Sequence, residues 1–222
     1  MRVIFPYTKE YPEAIEALKR CYPQAELCRL EGDTAYFELM ASVWTAGEET
    51  ALVEHDIVVR PGALEELSAC PNPYCGYAYR IGEGFNAAWG CTKFSAELIR
   101  ATQTIWRWIV DQAEAIPIKS RTEDPRHWFN LDSRFAWIAE RAFGAGTHCI
   151  HYPAVVHLHP DYVPAGMTAF EDAEASPNPA PHHCWKGHVC RCAHHGDGHA
   201  CPIRTSKGGT AGGWAHNLGS FA

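Results

Sequence analysis

The 222-residue sequence has no run of about 18 apolar residues, so no membrane-spanning helix is expected. Its first residues, Met1-Arg2-Val3-Ile4-Phe5-Pro6, lack the long apolar stretch and small-residue cleavage site of a secretion signal. A cytoplasmic protein with no membrane partner is expected. There is no surplus of positive charge either. Lysine and arginine total 19 against 26 aspartate and glutamate, a net charge of −7. That excludes a strongly basic footprint over the whole protein. No internal repeat is visible. What is present is ordinary globular composition, 46% hydrophobic and 20% charged, which excludes disorder throughout. The length suits one domain with a real core, or one domain plus a small appendage.

Charge, histidine and cysteine are unevenly spread. Residues 181–222 carry Lys186, Arg191, Arg204 and Lys207 against Asp197 alone, a local basic excess on an acidic protein. Eleven of the 13 histidines lie at or after position 148, and four of the 10 cysteines lie between 184 and 201. The other six, Cys21, Cys28, Cys70, Cys75, Cys91 and Cys149, show no metal-like spacing and read as buried thiols.

Arg2–Tyr7 reads as a strand and Pro12–Tyr22 as a helix, with proline suited to the first helical position. Ala25–Leu30 is a second strand. Thr34–Ala46 is a second helix, with Tyr36, Met40, Val43 and Trp44 available for its buried side. Ala51–Val59 reads as one strand interrupted by Glu54-His55-Asp56, and Pro61-Gly62-Ala63 starts a short helix ending near Cys70. Tyr74–Arg80 is a further strand, followed by a glycine-rich stretch, Gly82 to Asn86, and Trp89-Gly90-Cys91. These glycines would let backbone approach a ligand, and Trp89 would be either a stacking wall or core. Ser95 is a plausible cap for one longer helix through Val110. Asp124–Asn130 is a loop, Ser133–Phe143 a helix, and Thr147–Tyr152 and Ala154–His159 late strands. The alternation predicts an α/β domain with a mainly parallel sheet and flanking helices.

The most informative stretch is Leu52-Val53-Glu54-His55-Asp56-Ile57-Val58. Two acids two apart on a strand share a face, and buried together they repel. A cation between them resolves the conflict. Oxygen donors favour Mg²⁺ or Mn²⁺, and strand ends are where open α/β sheets bind ligands. The competing reading is a solvated strand end. His55 points the other way, toward packing. His157 and His159 likewise share a face if extended, and neutral imidazole suits a metal.

Strand–helix–strand–helix, then Glu54 to Gly62 with its acidic pair and Pro-Gly helix start, resembles a GT-A fold (Rossmann-like) glycosyltransferase. The likeness is to a small bacteriophage type, and a phage-encoded chain would work in the host cytoplasm. Tyr77 to Phe94 resembles the segment between the metal motif and the acceptor side. Trp128–Phe135 resembles the acidic acceptor-side motif, and Val155–His159 the late histidine that some members add to the metal. Glutamate stands where the family has its first aspartate. The resemblance implies a nucleoside diphosphate sugar, a UDP-sugar, as donor. It implies Asp56 as the Mn²⁺ or Mg²⁺ ligand, joined by His159 in preference to His157. Glu54 would reach the ribose, or the metal through water. Tyr7 and Thr8 would line the nucleoside pocket, and Glu31 would accept from a uracil N–H. Asp132 would be the general base of an inverting transfer, against a plain reading as the N-cap of the following helix.

Residues 1–160 form the expected catalytic domain, 161–181 a proline-rich linker and 182–222 a Cys/His-rich tail. Cys184, Cys190, Cys192, His195 and Cys201 match no standard finger, but their density in a segment too polar for its own core suits structural Zn²⁺, with His199 an alternative ligand. The basic tail makes DNA bearing 5-hydroxymethylcytosine the expected acceptor. A protein or glycan hydroxyl is the alternative, and a zinc-knuckle nucleic-acid-binding module on an inactive scaffold is another.

Overall fold

In a computed structural model the described residues are 1–81, 84–86, 88–143, 148–151, 155–158 and 183–184. The chain begins with β1 (Arg2–Tyr7), α1 (Pro12–Cys21), β2 (Glu26–Arg29), α2 (Ala35–Ala46) and β3 (Thr50–Val53). Then come β4 (Ile57–Val59), α3 (Ala63–Ala69), β5 (Tyr74–Tyr77), β6 (Tyr79–Ile81), β7 (Gly84–Asn86) and β8 (Cys91–Phe94). Helices α4 (Ala96–Ala101), α5 (Ile105–Asp111) and α6 (Leu131–Ala142) follow, with a 3₁₀ turn at Ala113–Ala115. The last strands are β9 (Cys149–His151), β10 (Val155–His157) and β11 (His183–Cys184).

Seven strands make the main sheet in the order β11-β9-β5-β8-β3-β1-β2. Strands β2, β1, β3, β5 and β9 run one way, and β8 and β11 run against them. The protein is thus mixed α/β with a mainly parallel central sheet. Val3, Ile4 and Phe5 are buried in succession, as is all of β3, as expected where both faces are covered. One core, with Leu18, Val58, Leu64 and Leu67, lies on one side. The other gathers Met40, Trp44, Trp89, Trp106 and Phe135.

Local chemistry fixes the element ends. Pro12 opens α1, and Lys19 and Arg20 sit in its last turn, favourable to the helix dipole. Gly47, at φ 73°, closes α2 in the left-handed conformation that glycine adopts most cheaply. The Ser95 hydroxyl caps α4 by accepting from Leu98 N at 3.1 Å.

Several expectations are corrected. Ala51–Val59 is two strands in separate sheets, because Glu54-His55-Asp56 turns the chain, with Ile57 N donating to Glu54 O at 3.0 Å. The helix after Ser95 breaks between α4 and α5. Thr102 Oγ1 turns back to Leu98 O at 2.7 Å and accepts from the buried Trp44 indole at 2.9 Å. Tyr74–Arg80 is likewise divided, β5 in the main sheet and β6 in a hairpin with β7. Cys91–Phe94, not anticipated as a strand, is fully buried between β3 and β5. Trp89 is core, 1% exposed, and donates to Tyr74 Oη at 3.1 Å, so it is no ligand wall. His183–Cys184, assigned to the tail, forms β11 against β9. All of the linker and the rest of the tail, with Cys190, Cys192, His195, His199 and Cys201, lie outside the described residues.

Candidate functional site

The parallel strands β1, β2 and β3 end at the same edge of the sheet, where ligands of open α/β sheets bind. Tyr7 and Thr8 follow from β1, Glu31 from β2, and Glu54 and Asp56 from β3. Tyr7 is half-buried beside the Phe5 ring and Thr8 is exposed. Glu31 is exposed and pairs with Arg29 at 3.3 Å.

The acidic turn is held from three sides. Glu54 N donates to Gly90 O at 2.8 Å, and Leu158 N donates to Asp56 O at 2.7 Å. Strand β10 pairs antiparallel with β4, bringing His157 opposite Ile57. His157 Nε2 then lies 3.1 Å from Asp56 Oδ2. His55 turns away, its ring 5.4 Å from Tyr11. The Tyr79 ring lies 5.0 Å from His157. Gly90 makes room for it, since a Cβ there would sit 2.5 Å from Tyr79 Cε1. Gly90 thus admits a tyrosine ring rather than a ligand. Gly82 lies outside the described residues.

The two carboxylates have opposite characters. Burial, and then the Asp56 charge, push Glu54 up to about 8, with Asp132 adding to the effect and the Tyr36 hydrogen bond opposing it. Tyr36 Oη donates to Glu54 Oε1 at 2.8 Å. Burial also works against ionised Asp56, but the hydrogen bond and charge of His157, with His55, outweigh it and hold Asp56 below its ordinary value. One acid is therefore kept ionised beside an imidazole while burial, and then that same charge, drive its neighbour toward neutrality.

Asp132 enters from the other side of the sequence. It does not cap α6. Asn130, at φ 59°, is the N-cap, and Asp132 sits in the first turn, where a negative charge faces the positive end of the helix. Its Oδ1 accepts from Ser133 N at 2.8 Å. Burial raises Asp132 above its ordinary value despite Ser133 and Arg134. Its charge also acts on Glu54, Tyr36, Tyr74 and Tyr79, so it lies within electrostatic reach of the acidic turn. Buried Arg134 fixes the preceding loop by donating to the carbonyls of Pro125, His127 and Phe129. That loop leaves Trp128 49% exposed beside Phe129.

The structure thus joins Glu54, Asp56, His157 and Asp132, and adds Tyr36 and Tyr79. Tyr36 was legible only as a buried position of α2. His159 lies outside the described residues, and of Cys184 only the backbone is described. Two donors there suit a hard divalent cation: an Asp56 carboxylate oxygen held ionised, and an imidazole nitrogen of His157 3.1 Å from it. No helix among the described residues is long and apolar enough to cross a membrane.

The fold and site define an α/β protein with an acidic turn at the carboxyl edge of its sheet. No family model matches the chain, and no curated protein matches it. Among solved structures it is similar to a glycosyltransferase involved in the glycosylation of the major capsid of PBCV-1. Identity is 13% over 78% of this chain and 96% of that one, with a TM-score of 0.42. It is also similar to the apo-form glycosyltransferase GlyE of Streptococcus pneumoniae TIGR4. There identity is 12% over 64% of this chain and 44% of that one, with a TM-score of 0.35. Likenesses at this level carry no function to this chain.

Proposed function

We propose that the protein is a glycosyltransferase that moves a sugar from a nucleoside diphosphate sugar, a UDP-sugar, to a hydroxyl acceptor. The observation that carries the reading is Asp56, kept ionised by His157 at the end of β3. Asp56 and His157 would hold Mn²⁺ or Mg²⁺, with His159 a further ligand. The cation there supplies positive charge for the diphosphate.

This chain's own residues would do the rest. Tyr7, Thr8 and Glu31 would border the nucleoside. Glu54, held by Tyr36, would face the ribose. Asp132 would accept the acceptor hydroxyl's proton at a carboxylate oxygen, in an inverting transfer. Its raised affinity for a proton suits a base better than an ordinary surface aspartate does. The exposed Trp128 ring, in the loop before α6, would stack on the acceptor.

The acceptor we favour is DNA bearing 5-hydroxymethylcytosine, read by the basic tail, whose role as a zinc-stapled knob rests on its cysteines and histidines; a protein or glycan hydroxyl is the alternative. The test is mass spectrometry of hydroxymethylated DNA incubated with the enzyme, Mn²⁺ and a panel of sugar nucleotides. A hexose added to the base is expected, lost in Asp56→Ala. Donor hydrolysis that needs Asp56 without any DNA product would remove the DNA acceptor and keep the transferase. Donor turnover unchanged in Asp56→Ala would remove both.

A further inference from the structure

The cysteines that look scattered in sequence meet in the fold. Cys70 follows α3, and Cys75 lies in β5. Cys149 in β9 is the register partner of Cys75, so both project from one face of the sheet. His151, two residues on from Cys149, shares that face. The Cys70 and Cys75 sulfurs and a ring nitrogen of His151 all lie within 4.8 Å of one another. Cys70 is 5% exposed, Cys75 and Cys149 are not exposed, and His151 is 1% exposed. Glu66, on the helix above, places Oε1 3.3 Å from His151 Nδ1 and accepts from Tyr77 Oη through Oε2 at 2.6 Å.

A second observation concerns charge. Lys93 in β8 is the register partner of Cys75 on its other side, and it is 2% exposed. Its Nζ donates to the Cys70 carbonyl, and no carboxylate pairs with it among the described residues. A buried ammonium needs a negative partner. Protonated thiols supply none.

We propose that Cys70, Cys75 and His151, joined by Cys149, bind a zinc-class divalent cation as a buried structural site. Three thiolates and one neutral imidazole around a doubly charged cation leave one net negative charge, which Lys93 offsets. Tetrahedral zinc holds sulfur at about 2.3 Å and nitrogen at about 2.0 Å, so the Cys70, Cys75 and His151 atoms close in by at most about an ångström, and the Cys149 sulfur, outside that cluster, turns in to join them. Glu66 is the carboxylate that orients the imidazole, the usual outer partner of a metal-bound histidine. The cation would tie the end of α3 to β5 and β9. It is separate from the Asp56 site in both residues and ligand type, soft sulfur against hard oxygen.

The experiment uses the full chain with Cys184, Cys190, Cys192 and Cys201 changed to serine, which removes the thiolates of the tail. Metal is counted by native mass spectrometry after purification under reducing conditions. Cobalt is then exchanged in and its visible absorption recorded. One retained equivalent is expected, with the intense bands of tetrahedral cobalt bound by thiolates. Adding Cys75→Ser or His151→Asn should abolish that equivalent, or weaken and shift the cobalt bands. A folded tail variant that holds no metal overturns the site whether or not the second variants fold. So does a Cys70–Cys75 disulfide found by peptide mapping of protein purified without reductant, or a metal unaffected by Cys75→Ser.

Discussion

His157 Nε2 and Asp56 Oδ2, 101 residues apart in sequence, are 3.1 Å apart in space. The contact depends on one three-residue ladder, Val155–His157 against Ile57–Val59. His157→Ala should therefore leave the fold intact. It should weaken Mn²⁺ binding by at least the roughly 10–100-fold that loss of a ligand's outer partner costs, since His157 is itself a proposed ligand. Isothermal titration of Mn²⁺ checks this. Equal affinity would take His157 out of the site.

Asp132→Asn should separate stability from activity. Burial raises the folded-state affinity of Asp132 for its proton above the ordinary carboxylate value. The sign follows from linkage: the folded state holds this proton at a pH where the unfolded chain has released it, so stability is full below the ordinary value and falls as pH rises past it. The asparagine amide cannot ionise, so the variant should melt at a higher temperature than the parent at neutral pH, with the gap closing as pH falls to the ordinary carboxylate range. Transfer should fall by about 10²–10⁴-fold, the range for a general base. Melting curves across pH and single-turnover rates measure the two effects. A variant that is both less stable and fully active would return Asp132 to a structural role.

Gly90→Ala should act on the site through Tyr79. The added Cβ would sit 2.5 Å from Tyr79 Cε1, so the ring must move. Overpacking of this kind costs about 1–3 kcal/mol. Because Tyr79 lies against His157, Mn²⁺ affinity should fall together with the denaturant midpoint. A stability loss with unchanged Mn²⁺ affinity would show that Tyr79 does not position His157.

Trp128→Ala should raise the acceptor KM and spare the donor KM and the melting temperature. Half of this side chain is exposed, so its truncation leaves no cavity. Base or sugar stacking on an aromatic ring contributes about 1–3 kcal/mol, or roughly 5–150-fold in KM. Steady-state kinetics with each substrate varied in turn reads the effect.

The first half of the fold is legible because its signals are local: Pro12 before a periodic helix, apolar β1 and β3, and Gly47 after α2. The acidic pair is legible for the same reason. Strand β8 is not, since Lys93 interrupts its apolar run and only the fold shows that lysine to be buried. The break after α4 is equally hidden. It depends on Thr102 meeting an indole 58 residues away. Tyr36 reads as a core position because its hydroxyl finds Glu54 only once α2 and β3 have packed. The same limit separates the cysteines. Spacing along the chain shows the crowded tail and conceals Cys75 beside Cys149, which only strand pairing brings together.

Strand β11 is two residues long, and it covers β9, all of whose residues are buried. Uncovered, β9 would offer an open row of amide and carbonyl groups to a strand from another molecule. A cap this short shields that row and leaves little length on its own far side for a newcomer to bind. Shortening the chain ahead of residue 183 should therefore favour fibrous self-association, even with every catalytic group still in place.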